Sequence, residues 1–321
     1  MGAYDDAPIL HTTRRNWMFR SPLRPAPTAL VLAGLLACTL PAHAERGKLL
    51  LTGGVSTIDG AAGGGLTPWA VTGSYATAGE MGGTAFVTGA KTQDYSLATY
   101  GAAVAFQDRV ELSIARQDFD TKNNLAPLGL AGLRLKQDIV GLKLRVAGDA
   151  VLDSDTLMPQ IAIGLLHKKT DAGALGPTLF GPLGAKDSGT DVYVSATKLF
   201  LAQGILVNGT LRATKANQGG LLGFGGAQSD SYKLMPELSV AKLLSKNVAI
   251  GAEYRAKPDN LNQSVLGAGA LKEDDWFDLF VAWAPTKNVS ITAAYVDLGK
   301  IAPAVQPKRQ TGAYLSAQLA F

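Results

Sequence analysis

Past residue 44 no apolar stretch approaches the roughly 20 residues that a membrane-spanning helix requires. Apolar side chains recur instead at every second position, in segments of about ten residues. In the stretch 248–255 one face carries Val248, Ile250, Ala252 and Tyr254, the other Ala249, Gly251, Glu253 and Arg255. In 277–283 one face is Phe277, Leu279, Val281 and Trp283, and in 140–146 it is Val140, Leu142, Leu144 and Val146, with Lys143 and Arg145 opposite. Only a pleated strand separates the two kinds of side chain at this spacing; a helix would smear them around its circumference.

A sheet apolar on its outer face faces a strict requirement. Hydrocarbon offers backbone amides no partner, and each unpaired group costs several kcal/mol, so a sheet in lipid must close on itself. The pattern therefore predicts an all-β fold, an antiparallel transmembrane β-barrel. Strands are expected at 47–53, 66–76, 82–90, 95–106, 109–119, 134–147, 157–168, 190–200, 205–214, 231–244, 248–256, 274–284, 289–297 and 310–321. This gives about 14 strands, with 12 possible if the weak first strand is lost and another merges.

Internal repetition points the same way. Lys246-Asn247-Val248-x-Ile250-x-Ala252-x-Tyr254 recurs as Lys287-Asn288-Val289-x-Ile291-x-Ala293-x-Tyr295. Ser195–Phe200 has a weaker copy in Ser239–Leu244. Connections alternate in length, short near 77–80, 107–108, 201–204, 245–247 and 285–288. They are longer and rich in Gly, Asp and Asn near 54–65, 120–133, 169–189, 215–230, 257–273 and 298–307. Such barrels have short periplasmic turns and longer external loops. The connections near 91–94 and 148–156 depart from this rule.

The last strand alternates through Ala313, Leu315, Ala317, Leu319 and Phe321. A strand ending on an aromatic resembles the signal read by the outer-membrane barrel assembly machinery, the partner expected at Phe321. Tyr254, Trp283, Tyr295 and Phe321 are the aromatics expected at the two membrane interfaces.

Residues 1–44 read as a targeting segment. Arg20 and Arg24 precede the apolar run 28–40, and Ala42-His43-Ala44 is a small-x-small site predicting cleavage after Ala44. Met18 makes a more ordinary start than Met1. Arg14-Arg15 as a twin-arginine signal and Cys38 as a lipidation site are the alternatives. A single barrel domain over 45–321 remains, exported through the periplasm of a Gram-negative cell to its outer membrane.

Charged residues make up only 17% of the chain, against about 25% in ordinary soluble proteins. The net charge of +4 falls by two once the leader is removed, too slight to imply a nucleic-acid partner. Cys38 is the sole cysteine, so the mature chain has no disulfide or thiol chemistry, and His167 is its one histidine. With no Cys and one His, a zinc site is not expected, nor any cofactor. His167 is followed by Lys168-Lys169-Thr170 with no serine beside it, so neither a lipase-like nor a protease-like site is expected. The acidic clusters 153–155 and 273–275 read as solvated turns rather than cation sites. The run 219–226, rich in glycine, reads as a flexible external loop rather than a phosphate cradle.

Alternation points Arg109, Glu111, Lys143, Arg145, Lys168, Asp191, Arg212, Lys233, Glu237, Glu253, Arg255 and Asp278 into the lumen. Charges of both signs line water-filled pores; they also pair across a lumen and plug it.

Four stretches carry a resemblance: KLLLTGGVSTIDGAAGGGLTPWAVTGSYAT (48–77), LKQDIVGLKLRVAGDAVLDSD (135–155), SATKLFLAQG (195–204) and GAEYRAKPDNLN (251–262). Together they resemble an uncharacterised proteobacterial outer-membrane β-barrel family known only as a domain of unknown function. The resemblance covers nearly the whole mature chain. It implies an outer-membrane barrel and supplies no catalytic or binding residues. The expected function is a porin-like channel for small solutes, surrounded by outer-membrane lipid and lipopolysaccharide. A non-conducting barrel whose loops bind is the alternative, and a barrel hydrolase resting on His167 the third reading.

Overall fold

The structure, a computed structural model, describes Lys48 and residues 50–51, 53–150 and 156–321. The targeting segment with Ala44 and Cys38, and the 153–155 cluster, lie outside the described residues. Twelve antiparallel strands close into a barrel. They are β1 (Met81–Thr92), β2 (Ser96–Phe106), β3 (Val110–Asp120), β4 (Arg134–Ala147), β5 (Gln160–Asp171) and β6 (Ser188–Phe200), then β7 (Ile205–Thr214), β8 (Lys233–Ser245), β9 (Val248–Arg255), β10 (Trp276–Trp283), β11 (Val289–Asp297) and β12 (Thr311–Ala320).

Each strand pairs with its neighbour in sequence, and β12 returns to β1 with Leu315 opposite Gly89. Beyond the strand ends the seam continues: Gly83 N donates to Phe321 O at 2.8 Å and Phe321 N donates to Gly83 O at 3.0 Å. Closure thus satisfies the edges that an open sheet would leave unpaired.

The strands alternate strictly between outward and inward side chains. Val140, Leu142, Leu144 and Val146 are exposed, as are Phe277, Leu279, Val281 and Trp283. The residues between them are buried, apart from half-buried Arg145 near the strand end. The repeated Lys-Asn segments begin β9 and β11, and both place a tyrosine outward, Tyr254 and Tyr295.

The connections sort by end. One end of the barrel, the turn end, carries 107–109, 201–204, 246–247 and 284–288; the other, the loop end, carries 121–133, 172–187, 215–232, 256–275 and 298–310. The expected exceptions persist: the short 93–95 link lies at the loop end and the longer 148–159 link at the turn end.

Of the first two predicted strands, 66–76 does not join the barrel, and neither do the described residues of 47–53. Residues 53–76 run inside it instead, with a short hairpin of Val55–Ser56 against Ala62–Gly63. Almost every residue from 55 to 74 is buried. Composition explains the failure. Gly60, Gly63, Gly64 and Gly65 break any continuous ladder, and Pro68 has no N–H to contribute. Gly60 holds φ of +93°, a conformation that L side chains rarely adopt. The barrel's largest apolar cluster joins this segment to the wall, bringing Ile58, Leu66, Trp69 and Val71 against Leu199, Leu206, Phe280 and Tyr314.

Candidate functional site: a plugged lumen

A glycine-rich segment without a ladder must satisfy its amides otherwise, and here wall side chains do so. Glu111 accepts from Ala62 N at 3.1 Å and from Gly73 N at 2.8 Å. Lys143, 3.1 Å from Glu111, donates to Ala62 O at 3.0 Å and to Val71 O at 2.9 Å. Glu253 accepts from Leu66 N at 2.8 Å and from Ser239 Oγ at 2.6 Å. The carbonyl of Pro68 accepts from Thr210 Oγ1 at 2.7 Å and Ser195 Oγ at 3.1 Å. Ala70 is held on both sides, its N–H by Thr197 Oγ1 at 2.8 Å and its carbonyl by Gln160 Nε2 at 2.7 Å. Gln117 Nε2 donates to Ile58 O at 2.8 Å, Trp69 Nε1 donates to Ser239 Oγ at 2.9 Å, and Gln318 on β12 accepts from Ser56. A side chain at Gly64 would overlap the Glu253 carboxylate.

Asp59 is the one charged residue between 53 and 76. It meets three wall cations: Lys168 at 3.1 Å, Arg255 at 3.1 Å and Arg212 at 3.3 Å. Asp191 lies 3.1 Å from Lys168 and 3.3 Å from Arg212. Glu237 lies 2.6 Å from Arg212 and 3.4 Å from Arg255. Three carboxylates thus balance three cations, all buried, and the Arg212 guanidinium stands 5.7 Å from the centre of the Tyr193 ring. Removing charges from water is costly, so each is viable only with its partners in place.

A second closure lies at the loop end. The 217–224 stretch folds inward, and Lys168 Nζ donates to Gly219 O at 3.0 Å while Thr170 Oγ1 donates to Gly220 O at 2.7 Å. Gln218 donates its N–H to Glu273 Oε2 at 2.9 Å and its side-chain amide to Ile301 O at 2.8 Å. Lys257 lies 3.0 Å from Glu273 and 4.0 Å from the centre of the Trp276 ring. Burial pushes the Lys257 ammonium down to about 8 against the pull of Glu273. Burial also pushes the Glu273 carboxyl up, against Lys257. The run 219–226 is therefore not an external flexible loop: its amides and apolar side chains are buried in the mouth.

The structure brings Glu111, Lys143, Lys168, Asp191, Arg212, Glu237, Glu253 and Arg255 onto the inner segment or the ion cluster around it. Asp278 is buried beside them across from Glu253, its Oδ1 without a hydrogen-bond partner. Arg145 is half-buried at the turn end, 3.1 Å from Asp149 and paired with Asp108. Lys233 is half-buried where β8 begins at the loop end. Arg109 is a correction. Gln107 and Asp108 both take left-handed φ, which shifts the turn out of strand alternation and leaves Arg109 exposed.

Tyr254, Trp283 and Tyr295 lie on the exterior, Tyr254 donating to Asp275, and Phe321 is half-buried at the seam. His167 faces outward, its Nδ1 3.0 Å from Thr190 Oγ1. Among the described residues no group of His, Cys, Asp and Glu is arranged to hold a metal ion. The acidic run at 273–275 disperses, Glu273 to Lys257, Asp274 accepting from Lys300 N at 2.9 Å and Asp275 from Lys257 N at 2.9 Å.

Sequence reasoning missed Asp59 and Lys257, and it read Glu273 as a solvated turn residue where the structure buries it against Lys257. A lone carboxylate in a glycine-rich apolar stretch is the signal that marks Asp59.

The family model described as "Protein of unknown function (DUF3034)" matches residues 52–318. No curated protein matches the sequence. Among solved structures the barrel overlaps the KdgM porin in complex with disordered oligogalacturonate, at 10% identity and a TM-score of 0.47, over 74% of this chain and 99% of that one. The NanC porin gives 8% identity and a TM-score of 0.49, over 74% and 100%. Outer membrane phospholipase A from Escherichia coli gives 10% identity and a TM-score of 0.40, over 74% and 92%. Similarity at this level assigns no activity.

Proposed function

The chain belongs to the DUF3034 family of proteins of unknown function, and we propose that it is an outer-membrane barrel whose lumen is a channel for small solutes, closed by a removable internal plug, residues 53–76. The exterior supports the membrane reading. Val140 is 56% exposed, Leu279 52% and Leu315 59%, and apolar residues encircle the wall at alternating positions. In water so continuous an apolar surface would aggregate; in acyl chains it is the solvent-matched face.

One observation carries the channel reading: the plug is held by side-chain hydrogen bonds, apolar packing and the single carboxylate Asp59, not by sheet pairing with the wall. A barrel meant to stay shut fills its interior with its own wall side chains. This wall instead presents Glu111, Lys143, Lys168, Arg212, Glu237 and Glu253, groups that water would satisfy once the plug leaves. The lumen is closed, and passage requires displacement of the plug and of the inward 217–224 stretch.

The test is planar-bilayer recording of the full chain against a variant lacking residues 53–76. The full chain should conduct in rare, brief openings and the shortened chain continuously. A shortened chain that folds and inserts yet carries no current ends the channel reading. The inward 217–224 stretch, a second closure, favours the non-conducting, loop-binding barrel as the alternative, and that outcome would select it.

A further inference from the structure

The plug carries one carboxylate into the lumen and seats it among three buried wall cations. Asp59 lies 3.1 Å from Lys168, 3.1 Å from Arg255 and 3.3 Å from Arg212. Two of the three are guanidiniums, whose planar donor forks match the shape of a carboxylate. The wall's own carboxylates in the cluster, Asp191 and Glu237, leave these cations one charge short of balance. Whenever Asp59 is out of its seat, a surplus positive charge stands in a narrow wall of low dielectric, where it attracts an anion strongly.

Immediately toward the turn end the sign reverses. Glu253 and Asp278 stand opposite each other on β9 and β10. They lie two residues from Arg255 on the same inward face, about 6.6 Å along the strand. Both are buried, and among the described residues no cation pairs with either. Glu253 is met by donors of the plug: Leu66 N at 2.8 Å, Thr67 N at 3.3 Å and Thr67 Oγ1 at 2.5 Å. Asp278 Oδ1 is met by none. A buried carboxyl oxygen without a donor marks a place for one.

The plug thus offers an acceptor to the cations and donors to the acids, a polarity that one small zwitterion reproduces. We propose that the solute of this channel is such a zwitterion, an amino acid in the broad sense. Its carboxylate replaces Asp59 between Lys168, Arg212 and Arg255, and its ammonium replaces the plug's donors at Glu253 and Asp278. The room it takes is the room that residues 53–76 fill when the plug is in place. A simple anion would be repelled by the acidic pair and a simple cation by the basic cluster, so selectivity follows from both signs together. Asp59 is then a tethered competitor, held at the seat at high effective concentration. Solute and plug exclude each other, and arrival of the solute favours the displaced plug. The proposal rests on the channel reading for the solute's passage, though not for its binding.

The experiment uses the refolded full chain in detergent at one fixed concentration of sodium chloride. The probes are 4-aminobutyrate, a zwitterion, with acetate and butylammonium as its separate halves. Amide exchange of residues 54–73 should quicken about tenfold as 4-aminobutyrate saturates the seat, and neither half should produce this alone. By calorimetry 4-aminobutyrate should bind Asp59→Asn about tenfold more tightly than wild type, because the competitor has lost its charge. Asp278→Asn should weaken 4-aminobutyrate about tenfold, the effect of one charge-assisted hydrogen bond. Arg255→Gln should abolish binding; Lys168→Gln serves if that variant fails to fold.

No binding of 4-aminobutyrate to either wild type or Asp59→Asn would overturn the proposal. So would acetate acting as strongly as 4-aminobutyrate, or an affinity indifferent to Asp278→Asn. Binding that frees the plug yet never lengthens openings in planar bilayers would sink the channel alone. Openings in a chain that binds no 4-aminobutyrate would sink the seat alone.

Discussion

The Nζ of Lys168 lies 3.1 Å from Oδ1 of Asp59, and the same ammonium donates to the carbonyl of Gly219 at 3.0 Å. One wall cation therefore holds both obstructions, the plug from below and the inward loop from above. Displacing Asp59 removes a partner from the group that fixes the loop, so the two closures loosen together.

Asp59→Asn tests this coupling. The change leaves Lys168, Arg212 and Arg255 with only Asp191 and Glu237 for balance. Breaking a buried ion pair from one side typically costs about 3–5 kcal/mol. Amides of residues 54–73 should exchange with solvent markedly faster, those of 217–224 should follow, and channel openings should lengthen. Unchanged protection in both segments would mean that Asp59 is not what holds them.

Gly64→Val should dislodge the middle of the plug while sparing the barrel. Its side chain meets the Glu253 carboxylate, which also accepts from Leu66 N, so the plug must shift. Overpacking of this kind costs about 1–3 kcal/mol. In a background with Trp17, Trp276 and Trp283 replaced by phenylalanine, Trp69 emission should move to the red as its bond to Ser239 is lost. Emission at the wild-type wavelength would count against the close packing at 64.

Lys257 gives the mouth a pH dependence. Its pKa in the folded barrel, about 8, lies below its ordinary value of 10.5 because burial penalises the charge. The folded state then binds fewer protons than the unfolded one between these values, so stability rises with pH across that window and is lost as pH falls toward 8. The span corresponds to roughly 3 kcal/mol at most. Measured against Lys257→Gln, wild-type unfolding free energy should improve from pH 8 to pH 10. A difference that is flat over this range would show that Lys257 stays charged in the mouth.

Leu279→Arg separates lipid from water as the outer solvent. At the middle of a bilayer-facing strand the substitution costs about 2–4 kcal/mol, whereas on a water-facing surface it costs almost nothing. Unfolding from lipid vesicles should register the loss, and a soluble, stable variant would remove the membrane reading altogether.

The wall was legible in the sequence because a closed sheet imposes its period on every strand. Val140, Leu142 and Leu144 declare outside, and Glu111, Lys143 and Arg212 declare inside, with no need to know their partners. Arg109 escaped the rule because two residues of left-handed backbone precede it. The plug was not legible for a deeper reason. Leu66-Thr67-Pro68-Trp69 reads as a strand when neighbours alone are considered, yet the Leu66 N–H is met by Glu253 and the Pro68 carbonyl by Ser195 and Thr210, far away in the chain. Nothing local announces such partners. The loop-end closure was hidden likewise, since Gln218, Lys257, Glu273 and Trp276 meet only when the ring closes.

Because wall side chains from β3 through β9, and again Gln318 on β12, grip the plug, its binding surface is incomplete until β12 has found β1. The segment therefore makes its full set of contacts only once the ring has closed. A nascent barrel deprived of residues 53–76 would have to zip shut over an empty, charge-lined bore. The same segment that obstructs the bore thus also braces the closed ring from within.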